Sequence, residues 1–282
     1  MADRPVPPER PAVRVTLGQL STGTDRAANR EAVRDAFRTA SYARADVLVL
    51  PEYTSAFDPR AVAVDLAEPL DGPFVTLLRE QAARTGVAVI AGTLLPSADP
   101  TLAVNAVVAV DGAGELVGAY RKVHLYDAFG ARESDVLEAG PADAAPLVLS
   151  VHGLRFGVLT CYDLRFPESA RRLVDAGATV LVVPAAWADG ALKAMHWRAL
   201  AIARAIENTC AVVAVGQGGR GVVGRSIVVG PDGVVGLEMD EKPALRTVDL
   251  DGDRLDRVRA ANPSLANRQY AVVPRRPAAD PR

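Results

Sequence analysis

Short apolar runs rich in valine recur along the chain at 13–17, 46–50, 87–94, 104–110, 155–160, 179–183, 210–215 and 222–229. Runs of this length and composition predict β-strands buried in a core. Between several of them lie longer stretches in which apolar positions return every three or four residues, at 26–44, 74–85, 167–176 and 192–208, and these predict amphipathic helices. Strand and helix alternate, which predicts a layered α/β domain. Asp111-Gly112-Ala113-Gly114 and Pro231-Asp232-Gly233 each separate two strand-like runs, the signature of hairpins, so the sheets are expected to be mixed. No internal repeat or low-complexity linker interrupts the pattern. One domain over 12–272 is the simplest division, with proline- and charge-rich arms at 1–11 and 273–282 that have little to bury.

Composition fits an ordinary soluble globular protein: 49% of the 282 residues are hydrophobic and 23% charged, enough for a substantial core. The net charge of −2 and the interspersed arginines give no electrostatic reason to expect nucleic acid. The opening residues lack the apolar stretch of a signal peptide, and no segment approaches a clean membrane span of about 20 residues. A cytoplasmic location, with no membrane partner, is the expectation. In that reducing setting Cys161 and Cys210 are read as free thiols, and Cys210, at the head of a strand-like run, as packing.

Three chemically capable residues stand where strand-like runs stop. Glu52 follows the run ending at Pro51, Lys122 follows the run ending at Arg121, and Cys161 follows Thr160. In α/β folds, side chains at strand ends gather in the crevice where ligands bind. A carboxylate can take a thiol proton and return it to a leaving amine, an ammonium can stabilise an oxyanion, and a thiolate can form a thioester. Taken singly, each also has a plain structural reading: a loop carboxylate, a solvated lysine beside Arg121, a buried inert thiol. A papain-like arrangement would need a histidine base from among His124, His152 and His196, and His124 lies two residues from Lys122. A metallohydrolase has less support, since three scattered histidines make a poor ligand set.

Taken together, Pro-Glu-Tyr at Glu52, Tyr-Arg-Lys-Val-His-Leu at Lys122 and Cys-Tyr-Asp-Leu-Arg-Phe-Pro-Glu at Cys161 resemble the Glu-Lys-Cys motifs of the nitrilase superfamily of carbon–nitrogen hydrolases. Their order and separations, 70 and 39 residues, are also similar to that family's. The resemblance implies a four-layer α-β-β-α sandwich with mixed sheets and a hydrolase without metal or organic cofactor. It also implies a homodimer or higher homo-oligomer. It gives Glu52 the role of general base, Cys161 that of nucleophile, and Lys122, with the Tyr162 N–H, that of oxyanion stabiliser. Glu133 resembles the family's second glutamate, which orients the lysine and the substrate or water.

The pattern around Arg165 resembles the branch of omega-amidases and deaminated-glutathione amidases, in which the corresponding arginine binds a substrate carboxylate. A guanidinium suits that task because it offers two parallel hydrogen bonds, though the same chemistry would serve an ion pair with Asp163 or Glu168. Tyr53, Ala186 and Trp187 are expected to shape the same pocket. The segment after Lys122 is shorter than expected for a typical omega-amidase. The expected activity is hydrolysis of a small, carboxylate-bearing amide. N-carbamoyl hydrolysis and nitrile hydrolysis are alternatives on the same triad, and a small-amide-binding protein is the non-enzymatic one.

Overall fold

The computed structural model describes residues 12–62 and 64–275. In chain order these form β1 (Val13–Gln19), α1 (Arg26–Tyr42), β2 (Val47–Val49), α2 (Pro73–Thr85), β3 (Ala88–Pro96), β4 (Ala103–Val110), β5 (Leu116–Arg121), β6 (Val148–Val151), β7 (Leu154–Val158), α3 (Pro167–Asp175), β8 (Val180–Ala185), α4 (Lys193–Asn208), β9 (Ala211–Gly216), β10 (Ile227–Val229), β11 (Val235–Glu238), β12 (Ala244–Leu250) and α5 (Gly252–Ala261). The strands make two six-stranded sheets, ordered β12-β1-β2-β3-β4-β5 and β11-β10-β9-β8-β7-β6. In each, the central strands are parallel and the flanking ones antiparallel, so both sheets are mixed.

Alternation within the strands sets the layers. Val47 and Val49 of β2 join Val180 and Val182 of β8 in one core cluster, between the two sheets. Their neighbours Leu48 and Leu50 point the other way and pack with Val33 and Phe37 of α1 and Leu78 of α2. Likewise Leu181 and Val183 face Leu173 of α3 and Trp197 of α4. Because successive strand side chains take opposite faces, strands apolar on both faces must be covered twice. The result is helices, sheet, sheet, helices, the expected four-layer sandwich.

Helix limits follow local chemistry. Asp25 caps α1 by accepting from the N–H groups of Ala27 and Ala28 at 2.9 and 3.1 Å. Pro73 and Pro167 open α2 and α3, where a missing N–H costs nothing. Gly86, at φ 74°, ends α2.

The expected strand at 222–229 is shorter than its apolar pattern. Only Ile227–Val229 is strand, because Gly224 and Arg225 turn through left-handed backbone at φ 63° and 49°. The turn brings Gly224 against β9, where a Cβ on Gly216 would lie 2.3 Å from the Gly224 carbonyl oxygen. Three elements were not foreseen: β6, β12 and α5. Of the expected arms, 1–11 and 276–282 lie outside the described residues, and 273–275 carry no helix or strand.

Candidate active site

Ends of three strands converge on one cavity of about 520 Å³ lined by Glu52, Glu133, Cys161, Arg165, Ala186 and Trp187 among others, and Lys122, at the end of a fourth, bonds two of its lining carboxylates. Glu52 follows β2, Lys122 follows β5, Cys161 follows β7, and Ala186 follows β8. Glu52 reaches its place because Gly92 of β3 has no side chain: a Cβ there would sit 2.5 Å from the Glu52 Cα. Lys122 is tied at both ends of its peptide unit, donating from N to Asn105 O and accepting at O from Gly140 N, each at 2.8 Å.

The charged centre is buried. Lys122 and Glu52 side chains are each 1% exposed, and Lys122 Nζ lies 3.0 Å from Glu52 Oε1 and 2.8 Å from Glu133 Oε2. Burial alone would lower the Lys122 pKa, but the two carboxylates outweigh it and hold the ammonium well above its usual range. Glu52 Oε1 also accepts from Asn105 Nδ2 at 2.7 Å, and its Oε2 from the Ala186 N–H at 2.7 Å. Glu133, in a short turn of 3₁₀ helix, accepts from Tyr53 Oη at 3.1 Å and from the Tyr126 N–H at 2.7 Å. Both carboxylates are thereby held in one orientation.

Cys161 begins a 3₁₀ turn, Cys161–Arg165, that leads into α3 at Pro167. Its φ is 45°, left-handed backbone that a thiol-bearing residue rarely adopts. The turn is pinned by Asp163, which is fully buried and accepts from Thr160 N at 3.1 Å, Tyr120 Oη at 2.7 Å and His124 N at 3.2 Å. Burial and then the neighbouring Glu52 charge push the Cys161 thiol well above its ordinary pKa, against the pull of Lys122. The resting sulfur is therefore a protonated thiol beside a carboxylate, the arrangement for base-assisted attack.

His124 is not that base. Its Nδ1 lies 2.7 Å from Asp163 Oδ1, its ring stacks on Phe166 at 3.7 Å, and it does not line the cavity. Cys210 is buried with its thiol pushed up to about 12, consistent with packing. Among the described residues no group of three or more His, Cys, Asp or Glu side chains could hold a metal ion. No helix among them is long and apolar enough to cross a membrane.

Arg165 forms neither of the ion pairs that were its structural alternative. Asp163 is filled by other donors, and Glu168 is not a partner; Arg165 Nε and Nη2 are buried without a hydrogen-bond acceptor. Its guanidinium stacks over Trp187, Cζ to centroid 4.8 Å, and lies 6.0 Å from the Tyr162 ring. Tyr126 and Arg132, from the short segment after Lys122, also line the cavity.

The carbon–nitrogen hydrolase family profile matches residues 14–260. The chain belongs to the carbon–nitrogen hydrolase family. Deaminated glutathione amidase of Escherichia coli is 39% identical over 259 residues, spanning 91% of this chain and 97% of that one. Among solved structures, a CN-hydrolase superfamily protein of Xanthomonas campestris with an arsenic adduct in its active site superposes with a TM-score of 0.81 at 29% identity, covering 94% of this chain and 100% of that chain. The Nesterenkonia AN1 amidase from the nitrilase superfamily gives 0.75 at 26%, covering 92% and 98%.

Several residues of this carbon–nitrogen hydrolase site escaped the sequence reading. Asn105 was a lone polar residue inside an apolar run, a signal that was present. Asp163, weighed only as an ion-pair partner for Arg165, stands three residues after Thr160 in a capping box, a local signal, whereas Tyr126 and Lys193 gave none beyond ordinary polar character because their roles depend on contacts far along the chain.

Proposed function

We propose that this carbon–nitrogen hydrolase cleaves a small amide bearing a carboxylate, through a thioester on Cys161. As Sγ attacks the amide carbon, Glu52 takes its proton and the carbonyl π pair moves onto oxygen. Lys122 Nζ and the Tyr162 N–H stabilise that oxyanion. Its collapse breaks the C–N bond, with the Glu52 proton passing to the departing nitrogen. Glu52 then deprotonates water for attack on the thioester, and the second collapse returns the proton to the thiol. Glu133 keeps Lys122 charged and aimed.

The carboxylate is inferred from one observation: Arg165 lines the cavity that holds the thiol, and its buried Nε and Nη2 have no acceptor within the protein. Buried polar groups are nearly always satisfied, and a bidentate anion would satisfy these two. The relative named deaminated glutathione amidase supports an amide substrate.

Ammonia release from glutaramate and from the neutral pentanamide, with N-carbamoyl compounds and nitriles read the same way, deaminated glutathione read by release of its cysteinylglycine amine, and Cys161→Ala as blank, tests the reading. The expected result is preference for acidic amides that Arg165→Ala removes, together with an acyl adduct on Cys161 in intact-protein mass spectra. Preferred turnover of nitriles, or an unchanged preference in Arg165→Ala, would overturn it.

A further inference from the structure

A second cation lines the same cavity and takes no part in the mechanism. Lys193, the first residue of α4, is 7% exposed. Its Nζ makes a single hydrogen bond, to Tyr126 Oη at 2.6 Å, and lies 3.8 Å from the centroid of the Phe129 ring. Among the described residues no carboxylate pairs with it: Glu52 and Glu133 hold Lys122, Asp58 pairs with Arg60, and Asp135 with Arg132.

This placement is unfavourable without a ligand. Burying an ammonium away from a counter-charge is costly, and the first turn of a helix, where the peptide dipole is positive, repels a cation. Ring faces and one phenol oxygen offset only part of that cost, leaving donors of the ammonium without an acceptor. Arg165 has the same shortfall, and the same exposed Phe129 ring stands 5.8 Å from its Cζ. Two uncompensated cations therefore border one ring, close enough for a short acyclic molecule to reach both.

We propose that Lys193 is a second anion-binding residue of this cavity, and that the amide hydrolysed here carries two carboxylates, one held by Arg165 and the other by Lys193. The inference rests on the reading of Arg165 given above and adds the second charge. It makes Lys193 a specificity-determining residue, since an amide with one carboxylate leaves its ammonium unfilled.

The test compares kcat/KM within matched pairs that differ only in the second carboxylate: β-carboxyglutaramate against β-methylglutaramate for a charge on the acyl side, and N-succinylglycine against N-ethylsuccinamate for a charge on the amine side. The wild type should favour the diacid of at least one pair by about tenfold or more. Lys193→Met should bring that ratio close to unity, and Lys193→Arg should keep most of it. The glutaramate-to-pentanamide ratio, measured in the same variants and in Arg165→Ala, reads the first carboxylate separately. Its absence in the wild type would remove the Arg165 anchor, whatever the diacid pairs show. Diacid ratios near unity in the wild type, or a diacid preference that survives Lys193→Met, would overturn the role of Lys193. So would a Lys193→Met variant that loses the glutaramate-to-pentanamide ratio as well, because both cations would then be serving one carboxylate.

Discussion

Glu52 and Lys122 lie 3.0 Å apart across 70 residues of chain, each almost wholly withdrawn from solvent. In the proposed mechanism, the carboxylate that takes the thiol proton is thus already bonded to the ammonium that meets the oxyanion. Replacing Glu52 by Gln keeps the shape and removes both the base and the charge. Turnover should fall by about 10²–10⁴-fold. Iodoacetamide labelling of Cys161 should move the opposite way. The Glu52 charge raises the thiol pKa, so in Glu52→Gln the rise of labelling rate with pH should shift to lower pH, and in Lys122→Met to higher pH. Cys210, held up at about 12, should remain unlabelled in the native protein throughout. An unshifted Cys161 profile in Glu52→Gln would show that the carboxylate does not act on the sulfur.

The Asn105 side chain reaches the proposed site through Glu52 Oε1, at 2.7 Å, while its backbone oxygen accepts from Lys122 N in any variant. Asn105→Ala should lower kcat by about tenfold and leave KM nearly unchanged, because it frees the base to rotate without altering the anion anchors. Steady-state kinetics on glutaramate decide it; a change confined to KM would contradict the assignment.

Gly92 is where the backbone of Glu52 passes closest to β3. In Gly92→Ala the new methyl meets main chain, which has no flexible end to give way. The variant should lose about 1–3 kcal/mol of stability and most of its activity, read by urea denaturation and turnover.

Asp163 holds the turn that carries the nucleophile. Asp163→Asn replaces an acceptor-only group, fully buried among four donors, with one that can accept at a single oxygen. A loss of about 3 kcal/mol is expected, with kcat falling beyond what the stability loss explains at temperatures where the variant is folded. Wild-type kcat in a folded Asp163→Asn would make the cluster structural only.

The layers were legible in the sequence because valine-rich runs and helical spacing are local signals, and Val47 to Leu50 record both faces of a strand in four letters. What escaped detection was held by distant partners. β12 mixes apolar and polar residues, buries only Leu250 along its edge, and acquires its identity by pairing with β1 from Val13↔Leu250 to Gln19↔Ala244. β6 spans only four residues, and half of the residues of α5 are charged. At 222–229 the apolar letters gave no sign of the left-handed turn at Gly224 and Arg225. Glu52, Lys122 and Cys161, the proposed triad, could be picked out because each follows a strand-like run and stands in a familiar short motif. Lys193 was unreadable because a lysine at a helix start looks solvated until its burial is known.

At position 161 a thiol sits on backbone that glycine would occupy more comfortably, at a cost of about 1–2 kcal/mol for a side chain there. Stability and reactivity therefore pull this position in opposite directions. A search for hardier variants selected on folding alone should drift away from cysteine at 161, and so would discard the proposed nucleophile while improving the scaffold.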